Sequence, residues 1–245
     1  MDFHGKTALV TGAAVGIGRA TAIRLAQGGA NLILVDLDGE KLTHVKREVE
    51  EAGAKALACV CDVSREEQVN DTVREALDQF GRIDILVNNA ALWRSWAPFG
   101  ETSNEIWQSY FNVNVMSVVY FTKAVLGGMV ANGYGRIVNV ASVAGVYGNA
   151  NMVCYSATKG AVIAMTRALA KEVTGKGVLV NAVSPGSVSP SKNDDYHFTQ
   201  PSDLSFAGRT GSDMENADLI CFLASDAASY ISGQNIQIDG CRKKQ

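Results

Sequence analysis

Seven short runs rich in Val, Ile and Leu, with no strict polar alternation, recur at 7–11, 31–35, 55–60, 83–87, 135–140, 178–183 and 234–238. Helical patterns lie between them, near 17–28, 39–52, 65–80, 104–131, 153–174 and 213–224. A run that is apolar at successive positions is a strand buried on both faces, as in a parallel sheet covered by helices. Right-handed crossovers then place helices on both sides, so the predicted fold is a doubly wound α/β three-layer sandwich with a parallel sheet of about seven strands. At 245 residues, 47% of them hydrophobic, the chain fills one such domain and leaves no room for a separate substrate domain. Ligands of open α/β sheets bind beyond the carboxyl ends of the strands. The chemistry is therefore to be sought at those ends.

The first strand, Thr7-Ala8-Leu9-Val10, runs into Thr11-Gly12-Ala13-Ala14-Val15-Gly16-Ile17-Gly18 and then a helix. Glycines let backbone turn tightly and approach a phosphate, and the helix N-terminus offers free N–H groups and the positive end of its dipole. The next apolar run, Asn31 to Val35, ends in Asp36, about twenty residues past the glycines. A carboxylate there accepts hydrogen bonds from an adenosine ribose, so the pair of features predicts a dinucleotide.

Farther on, Tyr155 and Lys159 stand one helical turn apart, thirteen residues past Ser142. Residues i and i+4 share a helix face, which puts the Lys159 ammonium near the Tyr155 phenol. A tyrosine alone titrates near pH 10; a nearby cation favours the phenolate and lowers that value. A phenol tuned this way exchanges a proton with an alcohol or carbonyl oxygen, and Ser142 supplies a second hydrogen bond to that oxygen.

The spacing Thr-Gly-x-x-x-Gly-x-Gly, the triplet Asn88-Asn89-Ala90, Asn114 and the Ser142/Tyr155/Lys159 set together resemble the short-chain dehydrogenase/reductase family, in its single-domain form similar to 3-oxoacyl reductases and hydroxysteroid dehydrogenases. The resemblance runs from Gly5-Lys6 to Asp239-Gly240 and takes in Asp62-Val63, Gly81 to Val87, Ser184-Pro185-Gly186 and Phe222 to Asp226. It implies an NAD(H)-dependent oxidoreductase that interconverts a secondary alcohol and a ketone. Tyr155 is then general acid in reduction and base in oxidation, Lys159 also bonds the nicotinamide ribose, Ser142 orients the substrate, and Asn114 holds a water linking Lys159 to solvent.

The implied cofactor contacts are Gly12, Val15, Gly16, Ile17 and Gly18 in the glycine turn, and Asp36 and Leu37 after the second strand. Asp62, Val63, Asn89, Ala90, Tyr155, Lys159, Pro185, Gly186 and Val188 complete the set. NADP-preferring relatives place a basic residue where this chain has Val15 or Asp36-Leu37, so NAD is expected. Substrate contacts are expected from Trp93 and Trp96, from Tyr147, Ser142 and Tyr155, and from Tyr196 and Phe198 in a mobile lid over about 187–208 that includes Asn193 and Asp194. The aromatic walls suit a steroid or other bulky cyclic ketone; a 3-oxoacyl thioester, a sugar or a polyol stays open. Three departures from the family pattern bear on the cofactor: Ala91 follows Asn88-Asn89-Ala90, Ser187 to Ser191 replaces the stretch where a threonine bonds the nicotinamide amide, with Ser189 as a substitute, and Cys241 follows Asp239-Gly240.

Composition narrows the partners. Net charge is −3 with acids and bases interspersed, which gives no basic field for nucleic acid or anionic membrane. No run of apolar residues approaches a membrane span, and Arg242-Lys243-Lys244 reads as a solvated terminus. Five scattered cysteines read as reduced thiols of a cytoplasmic protein, and with three histidines no metal constellation is expected. Excess apolar residues on 104–131 and 153–174, read with the resemblance, predict a homotetramer, or a homodimer. Two other classes stay in view: a non-catalytic NAD-sensing protein of the same fold, which retention of Tyr155 and Lys159 disfavours, and a lyase or epimerase, for which the chain is short.

Overall fold

The computed structural model describes residues 1–94, 96–191 and 195–243. Its strands are β1 (Thr7–Thr11), β2 (Asn31–Asp36), β3 (Ala56–Val60), β4 (Ile85–Asn88), β5 (Gly135–Val140), β6 (Val178–Pro185) and β7 (Asn235–Ile238). They form one sheet in the order β3-β2-β1-β4-β5-β6-β7, with every neighbouring pair parallel. The order reverses between β1 and β4, the switch point beyond whose strand ends sheets of this kind bind their ligands. Successive residues of one strand enter opposite cores: Leu32 and Leu34 one, Ile33 and Val35 the other. That is why the runs read apolar at every position.

The helices are α1 (Gly16–Gln27), α2 (Gly39–Glu51), α3 (Glu66–Phe80), α4 (Asn104–Phe111), α5 (Ser117–Ala131), α6 (Ala144–Tyr147), α7 (Val153–Val173) and α8 (Asp213–Ala224). Leu25, Leu42, Val45 and Ile220 place α1, α2 and α8 on one face of the sheet. Val69, Val73, Phe121, Val125, Ala170 and Val173 place α3, α5 and α7 on the other. Sequence signals set the helix ends. Asp38 caps α2 through Lys41 N, and Ser212 with Glu215 forms a reciprocal capping box on α8.

The structure differs from the sequence reading in four places. The pattern at 104–131 is continuous but not uniform: Asn112–Met116 is a π segment, in which Ser117 N donates to Asn112 O, five residues back. This Asn104–Ala131 run is long and apolar enough to cross a membrane by length and composition, with mean hydropathy 1.5 in its most apolar stretch, although 44% of that stretch is buried in the protein. The one-turn helix α6 carries no periodic signal. The expected lid is tied down rather than loose among its described residues: Gly211 N bonds Ser187 O, Ser189 N Gly211 O, Phe206 N Cys241 O and Ala207 N Gly240 O, and Tyr196 packs on Ala20, Met214 and Ala217. The terminus is not solvated either, since Arg242 and Lys243 are half-buried and Lys243 N bonds Leu204 O. Asn193 and Asp194 of the predicted lid, and Lys244, lie outside the described residues.

Candidate active site

The glycine turn closes on the end of β4. Gly12 has φ +65°, and a Cβ there would fall 2.9 Å from Ala90 Cα; a Cβ on Gly18 would fall 2.0 Å from Gly12 O. Asn89 braces the turn from below, its Nδ2 donating to Thr11 O at 3.0 Å and to Gly12 O at 3.1 Å. Thr11 Oγ1 accepts from Asn89 N (2.9 Å) and Ala90 N (3.1 Å), so the loop that continues into Ala91 is fastened to β1. No side chain caps the first turn of α1, which begins after the exposed Val15. Uncapped donors behind a backbone-only approach fit a pyrophosphate at Gly16-Ile17-Gly18.

Asp36 stands beside that turn, its Oδ2 accepting from Ala14 N at 3.0 Å and its Oδ1 from Leu37 N at 2.7 Å. Leu37 is exposed next to it, an apolar surface at the ribose end. Asp62 turns back on its own loop: Ser64 N and Oγ both donate to its Oδ1, and Arg65 Nε lies 3.7 Å from its Oδ2. The Ser64 hydroxyl, partly opposed by burial, holds the Asp62 carboxyl below its usual range. Val63 is buried beneath.

At the end of β5 the expected group assembles. Lys159 Nζ lies 5.8 Å from the Tyr155 ring centre, as i,i+4 spacing requires. The ammonium is nevertheless enclosed and donates to Val140 O at 2.6 Å. Burial lowers its pKa to about 8. The Tyr155 phenol is shifted the opposite way from the sequence reading: burial raises it, a hydrogen bond with Ser142 works against that, and the nearby Tyr110 adds to it. Desolvation is the largest of these influences and favours the neutral phenol. Ser142 Oγ also accepts from Ala144 N at 3.1 Å, starting α6.

The Asn114 side chain is fully engaged by the protein itself. Its Oδ1 accepts from Leu92 N at 2.7 Å, and its Nδ2 donates to Leu92 O (2.9 Å) and Thr158 Oγ1 (3.1 Å). From the π segment it therefore clamps the loop after Ala90 to α7, one residue from Lys159.

On the substrate side, Leu92, Trp93, Trp96 and Phe99 are all exposed along one segment. Ala97 N ties that segment to Asn151 O at 3.0 Å, and Phe99 meets Trp107 edge-on at 6.0 Å. Tyr147 is pinned by its hydroxyl to Gln237 Oε1 of β7 at 2.7 Å. Pro185 O accepts from Val143 N, and Gly186 lies so close to Asp239 that a Cβ would meet Asp239 Cβ at 2.8 Å. Val188 bridges to Gly211. Ser189 is buried and shares a 2.7 Å hydrogen bond with Thr210. The structure does not bring Tyr196 to this group. Its hydroxyl donates to Glu48 Oε1 at 3.1 Å, Arg19 lies over its ring, and it packs on Ala20, Met214 and Ala217, in the α1–α2–α8 layer opposite Tyr155. Phe198, two residues on, is half-buried. The bracing contacts of Tyr110, Thr158 and Gln237 were not read in the sequence, because a hydroxyl or amide that braces a neighbour leaves no periodic mark.

Such a fold, with an uncapped glycine turn on one side of the β1–β4 switch point and a half-buried Tyr155 beside the buried Lys159 on the other, defines a dinucleotide-dependent oxidoreductase. Comparison with known proteins agrees: the short chain dehydrogenase profile matches residues 6–200. The chain is 40% identical to the 3-oxoacyl-(acyl-carrier-protein) reductase of Thermotoga maritima over 243 residues, 98% of each chain. It is 34% identical to 3beta-hydroxysteroid dehydrogenase 2 of Eggerthella lenta, over 96% of this chain and 94% of that one. A structure of NAD+-bound xylitol dehydrogenase superposes with a TM-score of 0.90 at 36% identity, covering 98% of this chain and 100% of the other. The chain belongs to the short-chain dehydrogenase family, and it is an oxidoreductase acting on CH–OH or keto groups with a nicotinamide cofactor.

Proposed function

We propose that this oxidoreductase interconverts a secondary alcohol and a ketone with NAD(H), and that Tyr155 is its proton-transfer group. The observation that carries the reading is the Tyr155–Lys159 pair beside Ser142 at the strand end. The nicotinamide, when bound, supplies or takes up the hydride. Gly12, Gly16, Gly18 and Asp36 hold the dinucleotide at one side, and Lys159, Pro185, Gly186 and Val188 at the other. In reduction Tyr155 gives its proton to the carbonyl oxygen while Ser142 steadies that oxygen. In oxidation the phenolate takes it back.

The preference for NAD rests on Asp36, whose carboxylate would face a 2′-phosphate, with the nearby Lys41 already bonded to Asp38. The exposed Trp93 and Trp96 support a bulky or cyclic apolar ketone. The 3-oxoacyl reductase among the relatives favours a second reading, a 3-oxoacyl thioester, whose chain those same walls would accommodate. Four buried thiols, all free, support a reducing cytoplasmic setting. The apolar Asn104–Ala131 run, less than half buried in its most apolar stretch, supports pairing with α7 across a two-fold axis into a homotetramer. Loss of NADH absorbance, when the purified protein is mixed with a ketone panel of steroid, cyclic, 3-oxoacyl and sugar types, tests the reading. NADH left unconsumed by all of them, with no alcohol oxidised in reverse, would overturn it.

A further inference from the structure

The last residues are the least expected part of this site. Beyond β7 the chain passes Asp239, against Gly186, and then runs beside 204–207: Phe206 N bonds Cys241 O, Ala207 N bonds Gly240 O, and Ser205 bridges Arg242. From there Arg242 Nη2 reaches Asn149 Oδ1 at 3.4 Å. Asn149 belongs to the segment between α6 and α7, which links Ser142 to Tyr155 and is tied to Ser156 through the Asn149 N to Ser156 Oγ bond. Gln237, on the same terminal strand, holds Tyr147. Arg242 is thus fixed between the 204–207 segment and the approach to α7, where Asn151, two residues past Asn149, also ties Ala97 beside Trp96.

Its guanidinium is under-used. Five N–H donors have one long, neutral hydrogen bond, and among the described residues no carboxylate forms an ion pair with it. The other charged groups around it do not supply one. Arg209 makes two bonds to Glu215, at 3.0 and 2.6 Å, and Asp239 turns its Oδ1 to Cys241 N at 3.0 Å. Asp239, Arg209 and Arg242 share a small polar hollow with Ser187, Ser202 and Ser205. A half-buried guanidinium held in place without an acid partner meets an oxyanion well, because its planar fork matches carboxylate and phosphate.

We propose that Arg242 is a specificity-determining residue, which anchors an anionic group of the substrate at the end remote from the reacting carbon. The substrate class is then a ketone or secondary alcohol carrying a carboxylate or a phosphate, with its apolar body along Leu92, Trp93 and Trp96. This rests on the alcohol–ketone reading above.

Matched pairs test it: acetoacetate, 4-oxopentanoate and 3-oxo-3-phenylpropanoate, each against its methyl ester, and dihydroxyacetone phosphate against dihydroxyacetone. Wild type should favour the anionic member of at least one pair by about tenfold in kcat/KM, chiefly through KM. Which pairs show the preference separates carboxylate from phosphate. In Arg242→Ala that preference should fall close to unity while the neutral members turn over as before; Arg242→Lys should keep part of it. For any pair that is not turned over, affinity for the enzyme–NADH complex, read by protein fluorescence, replaces kcat/KM. A preference that survives Arg242→Ala, or neutral members handled as well as anionic ones in every pair, would overturn the assignment. Absence of turnover for acids and esters alike counts against the alcohol–ketone reading, and the affinity ratios still judge Arg242.

Discussion

The reaction centre and the lid lie side by side at one end of the sheet, and they are held by different means. Around Tyr155 several ties join one regular element to another: Lys159 to Val140 O on β5, Asn114 to Thr158 on α7, Asn139 on β5 to Thr166 on α7 and to Asn88 on β4. The described residues of 187–191 and 195–211, which include those of the expected lid, form no helix or named strand. Their ties run to places far off in sequence, from Ser191 N to the buried Asp213 carboxylate at 2.8 Å and from Phe206 N to Cys241 O. The first region depends on helix and strand repeats that the whole core enforces. The second depends on single hydrogen bonds, each near 1 kcal/mol net, that loop sequence can rewrite. On the proposed roles, proton transfer would sit where the fold tolerates little slack and substrate choice where it tolerates more.

The sharpest test of the rigid side is Tyr155→Phe. It keeps the ring and removes the donor, so turnover should fall by about two to four orders of magnitude while NADH binding, measured by fluorescence, survives. Retained turnover would show that the core places something other than the acid here. The raised phenol and the lysine near 8 set a pH dependence with a definite sign. A phenol kept protonated serves reduction, so reduction should stay flat from about pH 6 to about pH 8. Oxidation needs the phenolate, whose fraction grows about tenfold per pH unit below the pKa, so its rate should climb through that range. A plateau of the oxidation rate below about pH 7 would mean that a bound cofactor overrides burial.

Smaller effects separate the two regions further. NAD(H) should be preferred over NADP(H) by at least about tenfold in kcat/KM, about 1.4 kcal/mol. Asp36→Ala should erode this without changing turnover with NADH; equal efficiency with both cofactors in wild type would remove Asp36 from the role. On the lid, amide exchange should be slowest at Phe206 and Ala207, which bond to the terminal segment, and faster across 195–200. NADH with a substrate analogue should slow the faster stretch severalfold. Uniform exchange across the lid, unchanged by ligand, would leave it an ordinary loop.

The contrast also explains what the sequence made legible. All seven strands and the long helices follow from apolar periodicity, which the two cores impose residue by residue. Gly12, Gly18, Tyr155 and Lys159 were legible because fixed spacing inside one turn or one helix fixes their geometry. Tyr196 was misread for the opposite reason. Alternation placed it with Phe198, but the path of the lid is set by Met214 N bonding Tyr196 O and by Glu48, neither of which is local. The sign of the Tyr155 shift was likewise out of reach, since spacing reports the lysine and says nothing about how dry the site is.

The π segment at Asn112–Met116 has one more consequence. An α-helix turns about 100° per residue, so one extra residue in a continuous helix works as a phase shift between its halves. Here it lets α4 carry Tyr110 toward Tyr155 while α5 turns Phe121 and Val125 into the core, in one uninterrupted rod. Deleting Val113 should leave a good α-helix and still damage the enzyme, because every side chain on one half would be rotated out of register with the other, and Asn114 would leave Leu92 and Thr158. The surplus residue is an angular setting: it sets the direction in which each half of the rod faces.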